Sequence, residues 1–324
     1  MRRLTDSHES ERGAISVIVA ILLVALLGFA AIAIDVARLY SERAQLQNGS
    51  DAAAFMMAQK CAKDLNDAEC STTSPLAADL ANKNAVDGLS NVKSITLDKT
   101  NRKITVTAGA KEVGGGPNAV STFFARIMGI QSAEVVAESR VEWGTPSKGI
   151  VAMPLAIAVC KLNLAAGATS ASEQLIEMGS GCGTIPGGFG WINDASDAKC
   201  SVNISAGQSN DPGIWFTSDT GASAPGVCAA SDLAAMNDQT VLIPLYDIAT
   251  GNGSSGKYYV KGFAAFHVTG YHFATDSWTS GGGSLPNKSI RGYFLKFVSL
   301  SQALELGNSP DYGTAVVRLT IGAP

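Results

Sequence analysis

The chain is poor in charged residues and has no basic stripe. Asp, Glu, Lys and Arg make up only 16% of the sequence, and the formal net charge at pH 7 is −4. Because a protein that follows a nucleic-acid backbone needs clustered lysine and arginine, nucleic acid is not an expected partner. The scarcity of charge, together with 34 glycines and abundant serine, threonine and asparagine, is typical of an extracellular β-rich domain.

The sequence also lacks the motifs of common catalytic and cofactor sites. It contains no GxSxG, HExxH or P-loop motif. Gly251–Gly256 matches GxGxxG, but a dinucleotide site needs a helix after the glycines. Lys257–Val260, which follow, are strand-like, so we expect a hairpin loop there. We expect no enzymatic activity, no cofactor and no small-molecule substrate.

Metal ligands are equally scarce. His267 and His272 fall in one predicted strand at an odd separation, so their side chains face opposite sides unless a bulge at Gly270 intervenes. No cysteine forms a CxxC pair, and no histidine cluster accompanies the cysteines. The sequence therefore predicts no metal site.

The most informative segment is one uninterrupted apolar run, Ala14–Ile34. It contains no charge, no proline and one polar side chain, Ser16. As a helix it would be roughly 30 Å long, which matches the hydrocarbon thickness of a bilayer. A buried core helix of this length would show a polar stripe, and this run has none. Residues 14–34 are therefore predicted to form a transmembrane helix.

The residues before the run favour one orientation in the membrane. Arg2, Arg3 and Arg12 form the positive patch that is expected on the cytoplasmic side, so residues 1–13 are predicted to be a cytoplasmic tail. Cleavage as a signal peptide after Ala31–Ala33, which has small-x-small spacing, stays open as an alternative. The apolar run is longer than that of a usual signal peptide.

The cysteines support the same orientation. They all follow the apolar run, and an even number on one side of a membrane indicates disulfides formed in an oxidising compartment. Sequence proximity favours Cys61–Cys70 and Cys182–Cys200 and leaves Cys160–Cys228, but sequence cannot choose among the possible pairings. Buried free thiols in a cytosolic domain are the alternative. The disulfide candidates are Cys61, Cys70, Cys160, Cys182, Cys200 and Cys228.

The remaining pattern predicts a stem helix followed by two domains. Residues 35–60 carry apolar residues at three- and four-residue steps, which is typical of an amphipathic helix, and Gly49 is its weak point. Residues 61–144 combine a β-hairpin, a helix at Val120–Met128 and a further strand, which predicts a small α+β domain. Residues 145–324 hold short strand candidates between turn-rich loops, which predicts a mostly β domain. The predicted fold class is thus a single transmembrane helix continuing into a stem helix, then a small α+β domain, then a mostly β domain.

The stem helix supplies the candidate contacts with partner proteins. Leu39, Leu46 and Met57 are predicted to pack against helices of partner subunits. Asp35, where the apolar run ends, has two interpretations. In the first, its carboxylate makes a polar contact that fixes it to a neighbouring subunit's helix. In the second, it is simply the end of the membrane span, where a charged side chain costs little free energy.

The first part of the chain resembles a known family. The residues that carry the resemblance are Arg12-Gly13, the apolar run, Ile34-Asp35-Val36, Leu39-Tyr40 and Leu46–Ala54, followed by Ser121–Phe124 through Val141–Gly144. They resemble the N-terminal segment and small extracytoplasmic domain of TadE/TadG-like proteins, here with a C-terminal extension. The resemblance implies a single-pass protein of the bacterial cytoplasmic membrane, with its C-terminal domains extracytoplasmic. Membrane lipid and other Tad/Flp pilus-assembly or secretion subunits are the implied partners.

The expected function is therefore that of a non-enzymatic, membrane-anchored envelope protein that supports assembly or anchoring of a Tad/Flp-type pilus or secretion apparatus. The alternative is a membrane-anchored module that binds carbohydrate or the cell wall. Such a module would use exposed aromatic side chains, for which the candidates are Trp191, Trp215 and Trp278.

Overall fold

The computed structural model describes residues 9–163, 172–193, 200–207, 215–218, 223–251, 255–274, 276–295, 298–300, 304–307 and 309–320. The helices are α1 (Glu9–Lys63), α2 (Pro75–Lys83) and α3 (Ala230–Ala234), and 3₁₀ turns lie at Ala125–Met128 and Val159–Lys161. The strands are β1 (Ser90–Asp98), β2 (Lys103–Ala110), β3 (Ala119–Ser121), β4 (Ser132–Glu134), β5 (Val136–Val151), β6 (Leu155–Ala158), β7 (Gln174–Glu177), β8 (Phe189–Asn193), β9 (Val202–Ser205), β10 (Trp215–Ser218), β11 (Thr240–Thr250), β12 (Lys257–Phe273), β13 (Asp276–Thr279), β14 (Ser289–Phe294), β15 (Val298–Leu300), β16 (Glu305–Gly307) and β17 (Thr314–Thr320). The predicted fold class, a long N-terminal helix followed by a sheet-rich region with few helices, is confirmed.

The first helix is continuous over 55 residues and is about 80 Å long. Residues 15–34 are exposed along nearly their whole length, so nothing in the protein covers the apolar run. By length and composition this is the one helix in the described part of the chain that could cross a membrane. The second half of α1 differs, because its side chains become buried from Leu46 onward.

Gly49 does not break α1, although the sequence marked it as a weak point. The glycine faces α2, and a Cβ at this position would lie 3.1 Å from the Cα of Ala81. The absence of a side chain therefore lets the two helices approach closely. The second helix begins with Pro75 behind Ser74, whose hydroxyl accepts the backbone N–H of Leu76.

The first sheet packs against the buried half of α1. Its strand order is β1-β2-β5-β17-β15, and β9 and β16 pair with the second half of β5. The predicted hairpin is present as β1 and β2. Met57 of α1 is fully buried and shares a core cluster with Ile104, Val106 and Val141, which project from the sheet toward the helix.

The second sheet is buried on both faces. Its order is β10-β8-β6-β11-β12-β14-β7, with β13 paired to β12. Leu155 and Ile157 of β6 belong to one core cluster, while Ala156 and Ala158 belong to another that includes residues of β9. This alternation is the period of two of an extended strand. The predicted hairpin at Gly251–Gly256 joins β11 to β12, and residues 252–254 of its loop lie outside the described residues.

The domain boundary predicted between residues 144 and 145 falls inside a continuous strand. Before that point β5 pairs with β2 and β17, and after it β5 pairs with β16 and β9. Pro146, just after that point, lies opposite Leu306 beside a register shift, the kind of irregular position where sheets accept proline. Val317 of β17 also joins the core around Met57. The two predicted domains therefore share a strand and part of a core.

Candidate functional site

The end of the apolar run is fixed to the β-rich body by one carboxylate. Asp35 accepts the backbone N–H groups of Phe123, Phe124 and Ala125 at 2.9, 2.9 and 2.7 Å. These donors lie at the start of a 3₁₀ turn, where N–H groups have no partner within the turn. The side chain of Asp35 is buried, whereas the helix just before it is exposed.

Neither interpretation of Asp35 given by the sequence named these partners. Both carboxylate oxygens accept N–H groups of this chain's own backbone, so Asp35 is not simply a solvated end of the span. A contact with a neighbouring subunit's helix stays a prediction. Its partners are 88 to 90 residues away along the chain, so a local pattern could not have identified them.

Arg38, one turn further along α1, makes a second attachment. Its guanidinium donates to the backbone oxygen of Ser121 at 3.1 Å and lies 2.6 Å from a carboxylate oxygen of Glu112. Glu112 also accepts the N–H and the hydroxyl of Ser121. Burial raises the pKa of Glu112, but the hydrogen bonds from Ser121 and the charge of Arg38 outweigh it. The net result is a pKa below the usual value for glutamate, so the carboxylate stays ionised.

Asp35 holds residues 122–131, here named the junction loop, and Arg38 holds Ser121, the residue just before it. It closes the short hairpin of β3 and β4, and Thr122 donates its N–H to the oxygen of Gln131. The helix predicted at Val120–Met128 is wrong in extent, because β3 occupies its start and only Ala125–Met128 form a 3₁₀ turn. Gly129 ends that turn with a φ of 85°.

The predicted helix-packing residues face the protein's own sheet. Leu46 and Met57 are buried, and Leu39 is partly buried against a cluster that includes Ala108 and Val120. Leu46 and Met57 are therefore covered within this chain, and contact between the stem and partner helices stays a prediction. The apolar face was identified correctly, but the first sheet covers it.

A different face of the stem is open. Tyr40 is 72% exposed and Val36 is exposed on the same side of α1. Beside Tyr40 lies a cavity of about 260 Å³, whose walls come from the stem, the end of β4 and the start of β5. It is lined by Leu39, Tyr40, Arg43, Glu134, Val135 and Val136.

All six cysteines form disulfides, but two of the three pairings differ from those favoured by proximity. Cys61–Cys70 joins the end of α1 to the loop before α2, as expected. The other bonds are Cys160–Cys182 and Cys200–Cys228 rather than the Cys182–Cys200 and Cys160–Cys228 bonds favoured by sequence. The reason is sheet order: β6 pairs antiparallel with β8, and this pairing brings Cys160, just after β6, near the segment before β8 that holds Cys182.

The tryptophans do not form an exposed platform for a sugar. Trp191 is fully buried and packs edge-on against Phe273 in the core of the second sheet. Trp215 packs on Tyr259, and Trp278 lies beside Tyr271. The interpretation of Trp191 as an exposed binding residue is therefore wrong.

His267 and His272 do not contact a common set of residues. The bulge considered at Gly270 is present as a register shift between β12 and β14. His267 nevertheless contacts Asp238 and Thr240, whereas His272 contacts the backbone oxygen of Leu285. Among the residues that the structure describes, no group of three or more His, Cys, Asp or Glu side chains could hold a metal ion.

These features define a class of protein: a sheet-rich body with three disulfides, carried on one helix that is long and apolar enough to cross a membrane. A family model narrows the class. The model described as "Putative Flp pilus-assembly TadE/G-like" matches residues 13–59, which comprise the apolar run and most of the stem. The resemblance to TadE/TadG-like proteins is thereby confirmed for this segment, which includes Asp35 and Arg38. No curated protein and no solved structure matches the chain.

Proposed function

We propose that the protein is a non-enzymatic, membrane-anchored envelope protein that supports assembly or anchoring of a Tad/Flp-type pilus or secretion apparatus. The observation that carries this proposal is the family match, because residues 13–59 are the anchor and the stem. The chain would cross the bacterial cytoplasmic membrane once, with its N-terminus in the cytoplasm. The disulfides fit this topology, since an extracytoplasmic body would lie in an oxidising compartment.

The stem offers one surface to the other subunits of such an apparatus. Its buried face is occupied by the first sheet, so partner helices would contact the open side that carries Val36 and Tyr40. An exposed tyrosine beside a cavity is a usual anchor point of a protein interface, because the ring adds contact area and the hydroxyl tolerates water.

Genetic complementation tests both parts of the proposal. A strain without this gene should lack surface pili under electron microscopy, and the wild-type gene should restore them. Tyr40→Arg should fail to restore them, because a long cation replaces the apolar contact. Val86→Arg is the matched control, since Val86 is also strongly exposed but lies outside the stem.

The outcomes distinguish a failure of the proposed pilus role from a failure of the proposed contact surface on the stem. Normal pili in the deletion strain would contradict the pilus role itself. Full restoration by Tyr40→Arg would leave that role standing and show that partners do not use this face of the stem. The Tyr40→Arg protein must accumulate with its disulfides formed, which excludes a folding defect as the cause of lost pili.

A further inference from the structure

The junction loop carries an unusual number of exposed apolar side chains. Phe123 is 73% exposed, Ile127 89%, Met128 60% and Ile130 50%. Scattered single apolar residues are normal on a protein surface, but a group within one short loop marks an interaction site.

The loop is held in this form and cannot easily turn these side chains inward. Ile130 donates its N–H to the oxygen of Ala125, and Gly129 donates to the oxygen of Arg126. At the base of the loop Thr122 is buried and its backbone N–H is bonded to Gln131. The exposure therefore belongs to an ordered turn.

The junction loop lies beside the end of the apolar run. Its backbone is bonded directly to Asp35, the residue that follows the apolar run at Ile34. If residues 14–34 fill the hydrocarbon layer, Asp35 lies at the outer boundary of that layer. The junction loop must then lie at the same depth, because three hydrogen bonds of 2.7 to 2.9 Å fix it there.

We propose that the junction loop inserts into the outer interface of the same bilayer that α1 crosses. This inference rests on the proposed membrane anchoring and adds a second point of contact with lipid. Phe123, Ile127, Met128 and Ile130 would enter the boundary between headgroups and acyl chains, where aromatic and aliphatic side chains are favoured. Arg126, which is exposed between them, would lie among the lipid phosphates.

A second contact would change how the body is held. A single helix alone allows the body to tilt relative to the membrane, whereas a helix and an inserted loop fixed side by side restrain that tilt. The open stem face at Tyr40 would then keep a constant height and direction relative to the membrane. This property is useful to a protein that assembles with other membrane subunits.

Tryptophan fluorescence in liposomes tests the proposal. The full-length protein carrying Ile127→Trp is reconstituted into phosphatidylcholine liposomes with brominated acyl chains, and the wild-type protein supplies the background from its four tryptophans. Val86→Trp is the matched control. Like Ile127, Val86 is an exposed β-branched residue on a loop, and its N–H is bonded to Gln45, about 15 Å above Asp35 along α1.

The proposal predicts that the added tryptophan of Ile127→Trp is quenched at least about threefold more by the brominated lipid than that of Val86→Trp. It also predicts shielding from acrylamide in the water. Equal and weak lipid quenching of both variants, with Ile127→Trp open to acrylamide, would overturn it. Shielding of Ile127→Trp from both quenchers would also overturn it, because a second copy of the protein would then cover the loop.

Flotation of the same liposomes separates this inference from the anchoring on which it depends. Protein that floats with the lipid while Ile127→Trp stays unquenched contradicts loop insertion alone. Protein that does not float contradicts the membrane anchoring itself, and with it the proposed function.

Discussion

At the scale of single residues, Asp35 determines how the membrane helix meets the body. The sequence showed a charge at the end of an apolar run and nothing about its partners. The structure shows that the carboxylate accepts three N–H groups from the start of a 3₁₀ turn. Such hydrogen bonds to a charged acceptor are stronger than those between neutral groups.

Replacing Asp35 should therefore loosen the junction loop. In Asp35→Ala, hydrogen exchange of the amides of Phe123, Phe124 and Ala125 should be about tenfold faster or more, the size expected for losing hydrogen bonds to a charged group. Asp79→Ala is the control, because Asp79 pairs with Lys83 on an exposed helix surface away from the junction loop. Exchange in the loop that is the same in Asp35→Ala and the wild type would show that the carboxylate does not hold it.

At the scale of secondary-structure elements, the close packing of α1 on α2 depends on Gly49. A glycine inside a helix is destabilising in isolation, so its presence here needs a packing reason. The reason is the backbone of α2, which would lie 3.1 Å from an added Cβ.

Gly49→Leu should destabilise the body by about 2 kcal/mol, because a large side chain would push α2 away from α1. Thermal unfolding in detergent, followed by circular dichroism, measures the change. Gly28→Leu is the matched control: the space around its added Cβ is open to 4 Å, and a leucine there suits an exposed apolar run. A Gly49→Leu protein as stable as the Gly28→Leu protein would contradict the packing account.

Periodicity predicted the elements that carry a regular pattern. The apolar run, together with the three- and four-residue spacing of apolar residues in the stem, predicted α1. Strict alternation of apolar and polar residues predicted the hairpin of β1 and β2. Periodicity failed where a residue's local preference was overridden by distant contacts. The predicted domain boundary lies beside Pro146, yet β16 pairs with this segment from far along the chain and the strand continues.

At the scale of the whole molecule, the body outside the apolar run is held together by contacts between its two ends. The C-terminal strand β17 lies beside β5, and its Val317 reaches the core around Met57 of α1. The disulfide pairing follows from the same long-range order, which is why proximity in sequence identified only Cys61–Cys70. The open face of the stem was missed for the same reason, since only the packed sheet shows which side of the helix remains free.

The central claim is that this folded body lies outside a membrane that α1 crosses. The most direct test is disulfide mapping in living cells, in which the cells are alkylated before lysis and the protein is digested without reduction and examined by mass spectrometry. The account predicts linked peptides for Cys61–Cys70, Cys160–Cys182 and Cys200–Cys228, with no cysteine alkylated. Six alkylated cysteines would contradict the extracytoplasmic location, and a Cys182–Cys200 linkage would contradict the fold.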